Sequence, residues 1–485
     1  MKKSALFACL SLLLFAVGCG SSSSSSNFTP TGNFTNGSLS GQYTYQVNGI
    51  DLSANPSLAY VRAGVFTADG NGNITSGTDD FSENVALTST FAGTYSVAND
   101  GTGTLTLTFP SGTLTFAITL VNSTKVYMTE ADVNLTGGGI AQQQSTSAFT
   151  NPPDGTYVFR DHSENSSLGP IGAVGLMTVS AGVVTGSEDV NQNGITDTRT
   201  LTTGLFNFPD TSGRGTGSYT DSTGFTSTFI YYWVNSNTFN IFCTTPGAFG
   251  LGAAERQTGA PFSNTSLSGS YAYGSRGDTF TYLNGVHTVG RFTSDGAGNL
   301  SAGAFDVAQD GTPAANVTYT GTYSMDATGR AALVITPTTG GTGNQIYYMV
   351  SPSRAFFLVV DPNKVAEGTA DLQLVSSFSN STMNGQFGFL MHGFDTNPPD
   401  TFDRVGTLSW NGSGALTLNE FVNVSGSTNS VVLTGTYAVS SNGRTTGSIA
   451  NLSSNLVFYL VSGSDAYVLQ NDDSAEIDGV ISKQP

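Results

Sequence analysis

Three landmarks recur along this chain at one spacing, and internal repetition constrains a fold more tightly than any other sequence feature. Glycine stands just ahead of an aromatic in Gly41-Gln42-Tyr43, Gly155-Thr156-Tyr157, Gly269-Ser270-Tyr271 and Gly385-Gln386-Phe387, with glycine spacings of 114, 114 and 116 residues. A second landmark is Gly93-Thr94-Tyr95, matched by Gly321-Thr322-Tyr323 and Gly435-Thr436-Tyr437, with Gly101, Gly329 and Gly443 each eight residues beyond the first glycine. The second copy is looser here, with Gly204 and Gly213. The third landmark is an apolar run ending at Val121-Asn122, Val234-Asn235, Val350-Ser351 and Val461-Ser462. Units of this length far exceed solenoid repeats, so each copy is expected to own a core. Connections as short as Asn151-Pro152-Pro153 and Ser263-Asn264 predict a compact or rod-like array.

Inside a copy the apolar period is two. Leu105, Leu107 and Phe109 alternate with Thr104, Thr106 and Thr108, and Leu114, Phe116, Ile118 and Leu120 continue the pattern. That is the signature of strands with one buried and one wet face. Clusters such as Asp69-Gly70-Asn71-Gly72 and Asp295-Gly296-Ala297-Gly298 separate the runs and supply the positive φ of tight hairpins. About eight strands per copy, joined by short turns, favour a meander, and closure into a barrel removes the exposed edges. The predicted fold is all-β: four tandem eight-stranded up-and-down barrels, lipocalin- or avidin-like in architecture, over 38–150, 151–263, 264–380 and 381–485. Immunoglobulin-like β-sandwiches are the alternative.

Charged residues make up 10% of the chain, but 31 Phe and 19 Tyr give each copy material for a core. The formal charge of −18 disfavours nucleic acid as a partner. Three cysteines, Cys9, Cys19 and Cys243, leave no disulfide framework once the first two are assigned to the N-terminus, and Cys243 in Phe239-Asn240-Ile241-Phe242-Cys243 reads as a buried small hydrophobe.

Lys2 and Lys3 precede an apolar stretch from Ala5 to Val17, too short to span a bilayer, so 1–18 reads as a signal peptide. It ends in Ala16-Val17-Gly18-Cys19, which resembles the lipobox of bacterial lipoproteins, with Ala16 where leucine is commonest. The resemblance implies that Cys19 becomes the acylated first mature residue and ties the chain to a membrane, with Gly20 pointing to the outer membrane or cell surface. Residues 19–37, including Ser21 to Ser26, then form a flexible tether. The pattern Phe-x-x-Asp-Gly-x-Gly-Asn at Phe66 to Asn73 and Phe292 to Asn299, ahead of Gly-Thr-Tyr, resembles a repeat in surface lipoproteins of soil bacteria such as acidobacteria. That resemblance implies no activity.

One segment resembles a metal loop. Asp189, Asn191, Asn193 and Asp197 place oxygen ligands at alternate positions around Gly194, as a Ca²⁺ loop does, although Thr200 stands at its twelfth position. The competing reading is a hairpin turn on Asn193-Gly194, like Asp310-Gly311 in the third copy. No other cofactor is implied. The three histidines, His162, His287 and His392, fall in different copies and read as exposed loop or strand positions. Trp233 and Trp410 fit core or rim packing better than sugar platforms. No catalytic residues stand out. The expected role is a non-enzymatic, multivalent surface binder of a glycan, small apolar ligand or protein partner; a polysaccharide hydrolase and a passive envelope spacer are the alternatives.

Overall fold

The computed structural model describes residues 32–485 except 84, 166, 280–284, 398 and 451–454; the leader, Cys19 and the serine run lie outside the described residues. In the first copy the strands are Ser40–Asp51, Leu58–Asp69, Asn73–Ser82, Leu87–Val97, Thr102–Phe109, Gly112–Asn122, Lys125–Glu130 and Leu135–Gln143. They pair in sequence order, and the first closes on the eighth from Tyr43 opposite Gln143 to Asp51 opposite Leu135. The strands of 155–256, 268–372 and 384–483 repeat the arrangement, so the molecule contains four closed antiparallel barrels rather than sandwiches. Among the described residues no helix is long and apolar enough to cross a membrane.

Each barrel is filled by its own apolar interior. In copy 1 Tyr43 stacks on Phe66 at 5.3 Å and Tyr45 meets the edge of Phe91 at 6.4 Å. In copy 4 Trp410 packs edge-on to Tyr437 at 4.6 Å and Phe458 at 5.1 Å. Both tryptophans are core residues, each such side chain contributing about 2 to 3 kcal/mol on burial.

The landmarks now have physical causes. The opening glycines 41, 155, 269 and 385 all hold φ between +104 and +112, a region that penalises a side chain. The tyrosine of Gly-Thr-Tyr closes one end of its barrel: Tyr95 donates to Asn36 O and Leu39 O, and Asn36 Oδ1 accepts from Val97 N. Tyr323 with Asn264, and Tyr437 with Asn380, make the same bonds. Copy 2 has Phe206 at that position, with no hydroxyl to donate, which is why its landmark is loose.

The array is neither a rod nor a string. Strands one to three of each copy pack against strands six to eight of the next, and copy 4 packs the same way on copy 1. A head-to-tail contact that closes after four units makes a ring of approximate four-fold symmetry. One glutamine clamps every joint just beyond the eighth strand. Gln144 Nε2 donates to Ser212 O and Trp233 O, Gln257 to Thr328 O and Met349 O, Gln373 to Asn442 O and Leu460 O. Gln484, next to the C-terminal residue, completes the series on Asp100 O at 3.0 Å and Leu120 O at 2.6 Å.

Candidate functional site

Because strands one to three serve one joint and six to eight the other, the first and eighth strands face the middle of the ring. The fourth and fifth face outward. These two surfaces differ sharply in chemistry.

The inward surface collects the ionisable groups. Residues seven places beyond the opening glycine are Asn48, His162, Arg276 and His392, and each reaches across a joint or toward one. His162 Nε2 lies 2.8 Å from Asp278 Oδ2 of copy 3, and Arg160 bonds Glu367 at 2.5 Å. Arg276 pairs with Asp478 at 2.9 Å, and His287 Nδ1 reaches the same carboxylate at 2.5 Å. His392 lies between Asp403, 3.1 Å from its Nδ1, and Asn48, 3.1 Å from its Nε2. The expectation that the histidines occupy exposed positions is therefore corrected: all three are strand residues set in joints, each beside a carboxylate. Period-two patterning could not show this, since it reports which face a residue takes and not what later covers that face.

The field inside this cluster is strong. Burial alone would push the Asp478 carboxyl up, but Arg276 and His287 more than offset it and hold it near about 2. Burial alone would lower His162, yet the hydrogen bond and charge of Asp278 raise it to about 9. Burial and the charge of Asp278 lift Glu164 to about 7. Burial and the nearby Arg276 cation depress His392. His162, Glu164 and Asp278 each offer a ligand atom within 4.8 Å of the others, so two copies jointly supply a trio of metal-ligand type that neither has alone.

The calcium-loop residues have other partners. Asp189 is buried, and its oxygens accept from Arg330 at 2.6 and 2.7 Å, Tyr348 at 2.8 Å and Thr198 at 2.6 Å. Asn191 donates through Nδ2 to Val359 O and Lys364 O of copy 3, both at 2.9 Å, while its Oδ1 accepts from Gly194 N. Asn193 and Gly194 form the hairpin turn with φ of +49 and +82, and Asp197 pairs with Arg199. Asp189 and Asn191 thus serve the joint between copies 2 and 3. Cys243 is half-buried and unpaired, its thiol pushed up to about 11 by burial and by the Asp161 charge.

The outward surface carries hydroxyls instead of charges. In copies 1, 3 and 4 the fourth and fifth strands contain no ionisable side chain of the Asp, Glu, Lys or Arg type except Arg330 and Arg444, which are turned into joints. Exposed positions read Thr94, Ser96, Thr104 and Thr108 in copy 1, Thr318, Thr320, Thr322 and Thr336 in copy 3, and Thr434, Thr436, Thr446 and Ser448 in copy 4. Neighbouring strands link these hydroxyls, as in Ser96 with Thr104 at 3.0 Å. Copy 2 departs from the pattern in carrying Asp197 and Arg199, while exposed apolar side chains occur in every copy, as Leu87, Leu205, Val334 and Val432.

No family model matches the chain, and no curated protein matches it. Among solved structures, it is similar to the crystal structure of isotype 1 transferrin-binding protein B from serogroup B Neisseria meningitidis, at 9% identity and a TM-score of 0.18, over 74% of this chain and 83% of that one. Likeness at that level supports no inference about this chain.

Proposed function

We propose that the chain is an exported, lipid-anchored, non-enzymatic hub that holds neutral, polyhydroxylated polymer at several points around a ring. The observation that carries this reading is the segregation of charge: a chain of net −18 keeps the outward faces of three copies uncharged and lined with threonine. Repeated hydroxyls exchange hydrogen bonds with a hydrated polyol at little desolvation cost. The barrel interiors are occupied by side chains, so a small apolar ligand inside a barrel is not the favoured partner. Faces that point in different directions cannot all engage one flat surface, so multiplicity here favours cross-linking of several polymer segments over avidity on one.

Light scattering of the mature chain mixed with a neutral soluble β-glucan should report cross-linking. Lysine at the equivalent exposed sites, in the triple variant Thr94→Lys, Thr322→Lys, Thr436→Lys, should abolish it, while each single variant retains part. Unchanged scattering by the triple variant overturns the reading. The anchor is tested separately by labelling with a palmitate analogue: Cys19→Ala should lose the label.

A further inference from the structure

Arg291 is 6% exposed, and it differs from the other buried arginines. Arg62 has Asp79 at 2.6 Å and Arg404 has Glu420 at 4.0 Å, whereas among the described residues Arg291 forms no ion pair. Its acceptors are all neutral: Ala302 O at 2.6 Å, Ser270 Oγ at 3.2 Å, Thr293 Oγ1 at 3.0 Å, and Gln373 Oε1 at a long 3.5 Å. These bonds account for four of its five N–H groups. A buried cation with no countercharge is costly to maintain, and burial accordingly lowers its pKa where Arg214, Arg330, Arg354 and Arg444 are all raised.

Symmetry shows that the ring does not need this charge. Strand register places Val65, Leu176 and Thr407 at the equivalent position of the other three joints. Only at the joint between copies 3 and 4 does an arginine stand there, and that joint is cleft. Two openings, of about 360 and 550 Å³, share Arg291 and Asn442. Around the first are Ser270, Gln373, Ser376 and Ser441; around the second are Asn316, Thr318, Thr320 and Thr336. The lining of both clefts contains no carboxylate and no second cation.

We propose that this cleft is a binding site for a small monoanion carrying a carboxylate and several hydroxyls, a sugar acid in chemical class. Arg291 supplies the countercharge, and the serine, threonine and asparagine groups meet the hydroxyls. The second opening borders the outward face of copy 3, sharing Thr318, Thr320 and Thr336 with it, but the buried cation sets its chemistry apart and the proposal does not depend on the reading given to those faces.

Glucuronate is the probe, with glucose and sulfate as controls, and calorimetry on the mature chain at low salt is the readout. Glucuronate should bind saturably, and Arg291→Met should weaken it at least tenfold. Methionine suits a position that is aliphatic in two sister copies, so the fold is expected to persist. Asn442→Asp tests the same idea from the other side, because a carboxylate in the lining that both openings share with Arg291 should disfavour the anion, again by tenfold or more. Arg291→Lys should keep part of the affinity. Equal glucuronate affinity in wild type and Arg291→Met overturns the proposal. So does glucose or sulfate binding as tightly as glucuronate, the latter marking an adventitious anion. Thr94→Lys, which lies in copy 1 and weakens polymer cross-linking, should leave glucuronate binding unchanged, which separates the two activities.

Discussion

Three joints of the ring join copies that follow one another in the chain, and the fourth joins the last copy to the first; the two kinds are built differently. At each of the three, an aspartate from strand three of one copy meets an arginine and a tyrosine of the next. These are Asp80 with Arg214 and Tyr232, Asp189 with Arg330 and Tyr348, and Asp306 with Arg444 and Tyr459. At the closing joint all three positions change together: Phe421 replaces the aspartate, Thr102 the arginine and Thr119 the tyrosine. Phe421 packs into an apolar seam with Val405, Tyr127 and Leu390, while the amide bonds of Asn423 repeat those of Asn191 between copies 2 and 3. Asn423 donates to Glu130 O and Leu135 O, and Gln386 joins Gln484 on Asp100 O.

The difference teaches how one chain of similar parts finds a single wiring. Copy 4 presents no aspartate to an arginine face, and copy 1 presents no arginine to an aspartate. A mismatched pair therefore leaves a buried charge unpaired, which disfavours wrong docking as firmly as any contact favours the right one. The ring closes on the two faces that carry neither charge of this pairing.

Removing one ion from a charged joint should have the largest effect. Arg330→Met should destabilise the chain by about 3 to 5 kcal/mol, because Asp189 stays buried with only hydroxyl donors. Urea denaturation followed by tryptophan fluorescence measures it. A loss under 1 kcal/mol would mean the arginine is ornamental and the charge code irrelevant.

Next in size are the glutamine clamps. Gln484→Ala removes the clamp on buried Leu120 O while Gln386 still serves Asp100 O, and Gln257→Ala removes the clamp on half-buried Met349 O and exposed Thr328 O, each at a cost of about 1 to 3 kcal/mol. Their consequences should differ. Copies 2 and 3 remain linked by chain and by the Asp189 ion pair, whereas copies 4 and 1 have no linker, so only Gln484→Ala should open the ring. Small-angle scattering would show a larger radius of gyration for that variant alone. Equal expansion of both would deny the closing joint any special dependence on its clamp.

How much of this was legible in the sequence follows from range. The barrels were readable because alternation such as Thr104-Leu105-Thr106-Leu107 and turns such as Asp69-Gly70 act over a few residues, and the 114-residue spacing counts the copies. The ring was not readable, since a clamp like Gln484 on Asp100 joins residues 384 apart in the chain. Asp189 shows the boundary most clearly. Its neighbours Asn191 and Asn193 suggest a local ion loop, and only Arg330, 141 residues away, reveals the group it serves. One signal was available: arginine follows glycine at Gly213-Arg214, Gly329-Arg330 and Gly443-Arg444 but threonine follows Gly101, so the odd copy could have been found by aligning the repeats.

A smaller effect comes from pH. His162 is raised to about 9 against an unfolded value near 6.5, so the proton-linked stabilisation of the joint between copies 2 and 3 is complete below about 6.5 and lost as pH rises through about 9. Glu164, raised to about 7 beside His162 and Asp278, loses its share in a lower window, between about 4.5 and 7, which meets the His162 window at its upper end. With Asp278 39% exposed, screening trims the His162 contribution to about 1 to 2 kcal/mol. The shift in denaturation midpoint between pH 6.5 and 9.5 should be clearly smaller in His162→Gln than in wild type and Gln484→Ala, the remainder belonging to Glu164. A slope undiminished in His162→Gln would assign the titration elsewhere.

The smallest change should follow the largest rewrite. Asp80→Phe, Arg214→Thr and Tyr232→Thr together install the closing-joint chemistry between copies 1 and 2, where Val61, Ala63, Val65 and Phe242 already supply an apolar seam. Breaking that ion pair alone costs several kcal/mol, but removing both charges at once also removes their desolvation, and the two nearly cancel. The triple variant should therefore lie within about 1 kcal/mol of wild type, while Arg214→Thr by itself falls well below it. If the stabilities hold and the wiring argument is right, specificity suffers instead: copy 1 then offers a phenylalanine face like that of copy 4, and copy 2 a threonine face like that of copy 1. Either phenylalanine face now fits either threonine face. Refolding at high concentration should then yield linked dimers that the wild-type chain avoids, a product visible by size-exclusion chromatography, and their absence would show that the short linkers rather than the charges dictate the order of the ring.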